Sequence, residues 1–131
     1  MTTKSQIWKC EICGNIIEVL HQGADALVCC GQPMVLQEAK KEDEGKEHAE
    51  GVPPMEAKHK PIIEGNLIKV GSIEHPMIAE HHIEWIDVKH EEGESISRIF
   101  LGPGQKPGAE FSVPPKSARA YGNLHGLWKS E

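Results

Sequence analysis

Cys10 and Cys13 form a C-x-x-C pair, and Cys29 and Cys30 are adjacent; together they are all the cysteines of the 131-residue chain. Neighbouring cysteines make a poor disulfide, because consecutive α-carbons lie ~3.8 Å apart, short of the usual span of a bridge. Four thiolates on two short loops suit a tetrahedral metal instead. The C-x-x-C turn lets two sulfurs face one centre while backbone N–H groups point at them. Gly14 and Gly31 follow Cys13 and Cys30, where a tight turn helps the backbone approach. Zinc and iron both accept four sulfurs, and spacing does not choose between them. The bland alternative, four free structural cysteines, fits so dense a cluster poorly.

Histidines are the second chemically capable set, eight in all. His59 lies in KHKP, His75 in EHPM, His81 and His82 in AEHHIEW, and His125 in NLHGLW. Taken singly, each reads as an ordinary surface or core histidine. Taken together they form a candidate imidazole site, suited to iron, copper, zinc or nickel, provided that distant loops meet at one end of a fold. His21, His48 and His90 stand in polar or turn-like contexts and are expected to be solvated.

The elements that must position these groups divide the chain in three. Residues 1–37 offer short apolar strands, IWKCEICGNIIEVL and ALVCCGQPMVLQ, punctuated by Gly and Pro. A unit this small needs a metal or disulfides to hold it. Residues 38–53 are charged and poor in apolar residues, and read as a linker with a helical turn around EAKKED. Residues 54–131 carry strand signals in PIIEGNLIKVGS, HHIEWIDVKH, SISRIFLG, AEFSV and ARAYGN, separated in places by Gly and Pro. Several short strands with turns between them predict an antiparallel β-sandwich, so the chain is expected to be all-β.

Composition narrows the function. A net charge of −6 argues against general nucleic-acid binding, which needs a basic footprint. A local field opposite in sign leaves an anionic substrate open. No apolar run is long enough to span a membrane, and the N-terminus lacks a signal-peptide core, so a cytoplasmic protein is expected. Cysteines clustered in a reducing compartment favour metal binding over disulfides.

These motifs carry a family resemblance. WKCEICGNIIEVL…LVCCGQPM resembles the desulforedoxin-type iron module, and KHKP…LIKVGSIEHPM…HHIEWI…NLHGLWK resembles the catalytic domain of desulfoferrodoxin, a two-iron superoxide reductase. The likeness covers nearly the whole chain apart from the linker. It implies an immunoglobulin-like β-sandwich, a homodimer, and two irons per chain. Cys10, Cys13, Cys29 and Cys30 would hold the first iron in rubredoxin fashion. His59, His75, His81 and His125 match the equatorial ligands of the second, and Lys58 matches the lysine that draws in superoxide. Without the resemblance, Lys58 reads as a solvated lysine. His82 is an extra histidine where relatives often have an aromatic residue. The implied partners are superoxide and a small electron-donor protein such as rubredoxin.

Two positions depart from the family pattern. Gly122 stands where the family has the axial cysteine, and Ala57 where it usually has a glutamate. An axial thiolate donates electron density to iron, as cysteine does in haem proteins. Four neutral imidazoles alone are expected to favour ferrous iron, raise its potential and make electron transfer to superoxide harder. The expected activity is therefore that of a superoxide reductase impaired by a missing thiolate. The alternatives are an electron carrier working only through the four-cysteine iron, and a non-catalytic metal-binding protein.

Overall fold

The structure, a computed structural model, describes residues 1–41, 55–90 and 95–131. Most of the expected linker, and His48 with it, lies outside the described residues. The chain divides into two compact units, Met1–Glu38 and Ala39–Glu131.

In the first unit, β1 (Ile7–Lys9) is the centre of a three-stranded antiparallel sheet, flanked by β2 (Ile16–Glu18) and β5 (Val35–Gln37). A second, two-stranded ribbon joins β3 (Val28–Cys29) to β4 (Gln32–Pro33). Ile7, Cys10, Val19 and Met34 are its buried hydrophobic residues, a very small core that leaves much for a metal to do.

The second unit is a β-sandwich. A short helix α1 (Glu56–His59) leads into β6 (Pro61–Glu64) and β7 (Leu67–Val70). Lys60 has a ψ of 121°, the extended conformation that Pro61 imposes on its predecessor, and the helix ends there. β10 (Gly108–Glu110) completes a sheet of order β10-β7-β6. The facing sheet has the order β12-β11-β8-β9, with β8 (Ile83–His90), β9 (Ile96–Phe100), β11 (Pro115–Gly122) and β12 (Gly126–Lys129). Side chains alternate as the period of a strand requires: Ile68 and Val70 of β7, Ile86 and Val88 of β8, and Ala118 and Ala120 of β11 share one core with Ile83, Ala109 and Phe111.

The other face of the four-stranded sheet carries a second buried layer. The Trp85 and Tyr121 rings stack with centroids 5.7 Å apart, and the Arg98 guanidinium lies 4.7 Å from the Trp85 centroid. Asp87, 3% exposed, accepts hydrogen bonds from Arg98 Nη2 at 2.7 Å and from Arg119 Nε at 3.0 Å and Nη2 at 2.7 Å. Two bidentate-capable guanidiniums on one carboxylate satisfy a charge that would be costly to bury alone.

Three readings of the sequence need correction. His90 is buried rather than solvated, with its Nε2 2.8 Å from Ser97 Oγ, because it continues the inward-facing series Ile86, Val88, His90 of β8. The described part of EAKKED carries no helical turn: Lys40 is extended and bridges Trp128 in parallel. The helix and β12, absent from the sequence reading, both belong to the site described next.

Candidate metal centres

In the first unit the four sulfurs converge. Each Sγ lies within 4.8 Å of the others, with Cys13 and Cys29 3.5 Å apart and Cys29 and Cys30 4.0 Å apart. A tetrahedron with metal–sulfur bonds of ~2.3 Å has edges of roughly 3.8 Å, so this cluster fits a four-sulfur ion. Backbone geometry makes the approach possible. Cys30 has φ +52°, and Gly14 and Gly31 have φ +83° and +73°, in the left-handed region that tight turns use. The Cys13 N–H points at Cys10 Sγ at 3.5 Å, and this bond holds the Cys10 thiol down at about 6. Hydrogen bonding with Cys13 pushes Cys29 up to about 12. One thiolate thus forms readily and makes the next costly, which a bound cation would relieve.

In the second unit four imidazoles form a ring. Going round it, centroids are 4.7 Å apart for His59–His75, 4.6 Å for His75–His81, 5.1 Å for His81–His125 and 4.7 Å for His125–His59, all edge-on at 74–81°. Across the ring, His59 and His81 are 6.1 Å apart and only 29° from parallel. Nitrogens of His59, His81 and His125 come within 4.8 Å of one another. Three nitrogen donors thus converge, a set that suits a transition-metal ion, while His75 joins the ring by its imidazole but lies outside that group of converging donor atoms.

The surrounding hydrogen bonds select the donor atoms. His59 Nδ1 lies 2.7 Å from the Met55 carbonyl and His75 Nδ1 2.6 Å from the Pro76 carbonyl, so Nδ1–H donates and Nε2 keeps its lone pair. The Nε2 atoms of His59, His75 and His81 are buried and have no hydrogen-bond partner among the described residues. Such orphaned acceptors are rare in a protein interior, and a metal ion is the partner they suit. Burial lowers the pKa values of His59 and His75 to about 4, and it lowers that of His81 as well. The Lys58 charge adds to the depression at His75 and His81.

Four residues make contacts around the ring, and sequence reading assigned a role to none of them. Gly71, φ +83°, lets the loop touch α1: a Cβ there would stand 2.6 Å from the Ala57 carbonyl oxygen and 2.7 Å from the Lys58 carbonyl carbon. Asn123 ties the His81 loop to the His125 loop. Its Oδ1 accepts from the His82 N–H at 2.9 Å, its own N–H donates to the His82 carbonyl at 3.1 Å, and its Nδ2 donates to the Glu80 carbonyl at 2.9 Å. Trp128 stacks on His59 at 5.3 Å. Lys40 reaches the His125 carbonyl. His82 stays outside the ring, its Nδ1 3.1 Å from the Ile78 carbonyl.

His125 lies in the three-residue loop that joins β11 to β12, closed by the paired Gly122 and Gly126. Gly122 stands at a register irregularity of β11 and lacks a left-handed φ. A Cβ there would be 4.0 Å from His75 Nε2, facing the imidazole ring.

Family profiles match both units of the chain. The profile of "Desulfoferrodoxin, N-terminal domain" matches residues 2–37, and that of "Desulfoferrodoxin" matches residues 40–131. The chain belongs to the desulfoferrodoxin family. A desulfoferrodoxin homolog of Archaeoglobus fulgidus is 52% identical across 99% of each chain. The desulfoferrodoxin of Nitratidesulfovibrio vulgaris is 44% identical, over 100% of this chain and 99% of its own. A superoxide reductase of Pyrococcus abyssi, 34% identical, aligns with 56% of this chain and 84% of its own. The crystal structure of the superoxide reductase from Treponema pallidum has the same fold, with a TM-score of 0.72 over 96% of each chain at 21% identity. This desulfoferrodoxin-family chain is thus an enzyme of the superoxide reductase family, all-β, with a desulforedoxin-like module ahead of a β-sandwich. Among its described residues no helix is long and apolar enough to cross a membrane.

Proposed function

We propose that this chain reduces superoxide to hydrogen peroxide at the histidine centre, with iron as the metal there and a second iron held by Cys10, Cys13, Cys29 and Cys30. The observation that carries the reading is the ring of His59, His75, His81 and His125, three of whose buried Nε2 atoms have no hydrogen-bond partner among the described residues. Bound in that ring, iron supplies the single electron that, with two protons, converts superoxide to hydrogen peroxide. The protein's own part is electrostatic and steric. His59 and His75 are kept neutral by burial, so they offer lone pairs at pH 7 without adding charge. Lys58 adds positive charge beside the site of a chain whose net charge is −6, a local field that attracts a small anion and weakens with salt.

Gly122 supplies no donor on the side that its Cβ would face, and the proposed activity is correspondingly reduced. The same glycine favours one second reading, an electron carrier that uses only the four-cysteine centre. The partners we propose are superoxide and a small electron-donor protein such as rubredoxin, acting on a cytoplasmic homodimer. Metal analysis after reconstitution with ferrous salt, combined with absorption spectra during a pulse of superoxide, tests the proposal. Two irons per chain, with the histidine iron oxidised by superoxide, is the expected result. One iron and no reaction would favour the electron carrier, and zinc among the histidines would favour a non-catalytic metal protein.

A further inference from the structure

Lys40, exposed near the start of the second unit, takes no part in the chemistry proposed for the histidine centre, yet it reaches the His125 carbonyl from outside the ring. Its backbone pairs with the edge of β12: the Lys40 N–H donates to the Leu127 carbonyl at 3.0 Å, and the Lys129 N–H donates to the Lys40 carbonyl at 2.8 Å. This one-residue parallel bridge opposite Trp128 carries the Lys40 side chain across the indole, with Nζ 5.2 Å from the ring centroid, within cation–π range. The ammonium then donates to the His125 carbonyl oxygen at 3.1 Å. Trp128 Nε1–H donates to the same oxygen, also at 3.1 Å, while the indole lies nearly flat on His59, 24° from parallel. One lysine and one tryptophan therefore engage two members of the imidazole ring, and Lys40 lies 85 residues in sequence from His125.

The choice of oxygen matters. The His125 carbonyl belongs to the peptide that precedes Gly126, whose φ is +79°. A peptide flanked by glycine rotates at little cost, and its rotation would swing the three-residue loop that carries the His125 ring. Two donors, one of them charged, share that carbonyl oxygen and restrain the peptide plane. We propose that Lys40 is a positioning residue for the histidine centre, holding His125 in place through its carbonyl oxygen in concert with Trp128. The inference rests on the reading of the histidines as a metal centre. It adds that the ligand geometry depends on a side chain just past the end of the first unit, in a segment that reads as linker.

The test uses the full chain reconstituted with ferrous iron. Lys40→Met keeps the length and the backbone pairing but removes the charge and the donor, Lys40→Arg restores both, and Trp128→Phe keeps an aromatic face but loses the N–H. The readouts are the rate at which a ferrous chelator removes iron from the histidine centre, the ferric electron paramagnetic resonance of that centre, and the visible band of the four-cysteine centre as internal control. Second-layer partners of metal ligands are typically worth 10–100-fold in affinity, so Lys40→Met should release the histidine iron roughly 10-fold faster. Its ferric resonance should shift while the four-cysteine band stays. Lys40→Arg should stay within about 2-fold of the unaltered chain. The double variant should be less than the product of the two singles, because both donors act on one oxygen. Unaltered release and resonance in Lys40→Met would overturn the inference alone. Equal loss of both centres would also overturn it, by showing a general structural role. An unaltered chain that holds no ion among its histidines would overturn it together with the metal reading beneath it.

Discussion

Replacing Gly122 by cysteine tests whether the imidazole ring is a metal site prepared for one more donor. The structure gives the steric outcome directly. A Cβ at Gly122 would meet Ile83 Cδ1 at 3.4 Å, the His82 carbonyl oxygen at 3.7 Å and His75 Nε2 at 4.0 Å. These are ordinary contacts, and the backbone there is open to any L residue, so Gly122→Cys should fold and gain about 0.5–1 kcal/mol from the lost glycine entropy. The electrostatic outcome follows from the protons. With pKa values of about 4, His59 and His75 are roughly 99.9% neutral at pH 7 and release almost nothing when a metal arrives. A thiol of ordinary pKa is roughly 97% protonated at that pH and must release one proton to become a ligand. The assay is a cobalt titration of the histidine centre between pH 7 and pH 8, with the four-cysteine centre already loaded. Affinity should rise about 8-fold across that unit in Gly122→Cys and stay nearly flat in the unaltered chain. The ferric variant should also gain a sulfur-to-iron charge-transfer band and react faster with superoxide. A flat pH dependence with no new band would refute the reasoning, since the thiol would then be a bystander and His125 a loop residue like any other.

Gly71→Ala should destabilise the second unit by at least ~2 kcal/mol in denaturant titrations and weaken metal binding at His59, because its Cβ meets backbone of α1 at 2.6–2.7 Å in a left-handed conformation. Cys13→Ser should bleach the visible charge-transfer bands of the four-cysteine centre and loosen residues 1–38 in amide exchange, leaving the strands of the sandwich protected. The metal-free protein should lose stability as pH falls from about 6.5 to about 4. Over that window the unfolded chain takes up protons that buried His59 and His75 refuse, so stability rises with pH, by on the order of 3 kcal/mol for each. Thermal unfolding at pH 7, 6 and 5 checks this, and a midpoint that holds steady across the series would contradict it.

The strand period made much of the sandwich legible. In LIKV of β7 every second residue is buried, and Ile86, Val88 and His90 continue one inward row in β8. That same row places His90 inside, so the period held the answer that a polar local context hid. Short elements were harder. The four residues of α1 are too few to show a 3.6 period, and they form because Gly71 and Ile73 receive them: the Ile73 N–H donates to the Ala57 carbonyl at 2.9 Å and the Gly71 N–H to the Lys60 carbonyl at 2.9 Å. β12 follows directly on a loop, and its partner across the edge is Lys40, in a charged stretch with no strand signal. Tertiary pairing made the strand there, and local propensity did not.

The site was legible in kind before it was legible in place. C-x-x-C with Cys-Cys announces a four-sulfur ion from local spacing alone, because both loops lie within one small unit. The histidines are different. Nothing in the spacing of 59, 75, 81 and 125 says that they meet; they group only on the premise that the loops of a sandwich converge at one end, and it is the family resemblance that sets His82 apart from them. The fold brings them together from four separate places: the end of α1, the turn after β7, the turn before β8, and the loop between β11 and β12. What holds them is a further layer whose members carry no ligand signature, Gly71, Asn123, Trp128 and Lys40. This separation bears on the meaning of Gly122. The loss of a donor leaves that layer intact, since none of its hydrogen bonds passes through a side chain at 122. The position that would present a thiolate still faces His75 Nε2, with room for a Cβ. Frame and donor are therefore independent features of the sequence. A chain can keep the first without the second: the four imidazoles still converge here, with room at position 122 for a donor that glycine does not supply.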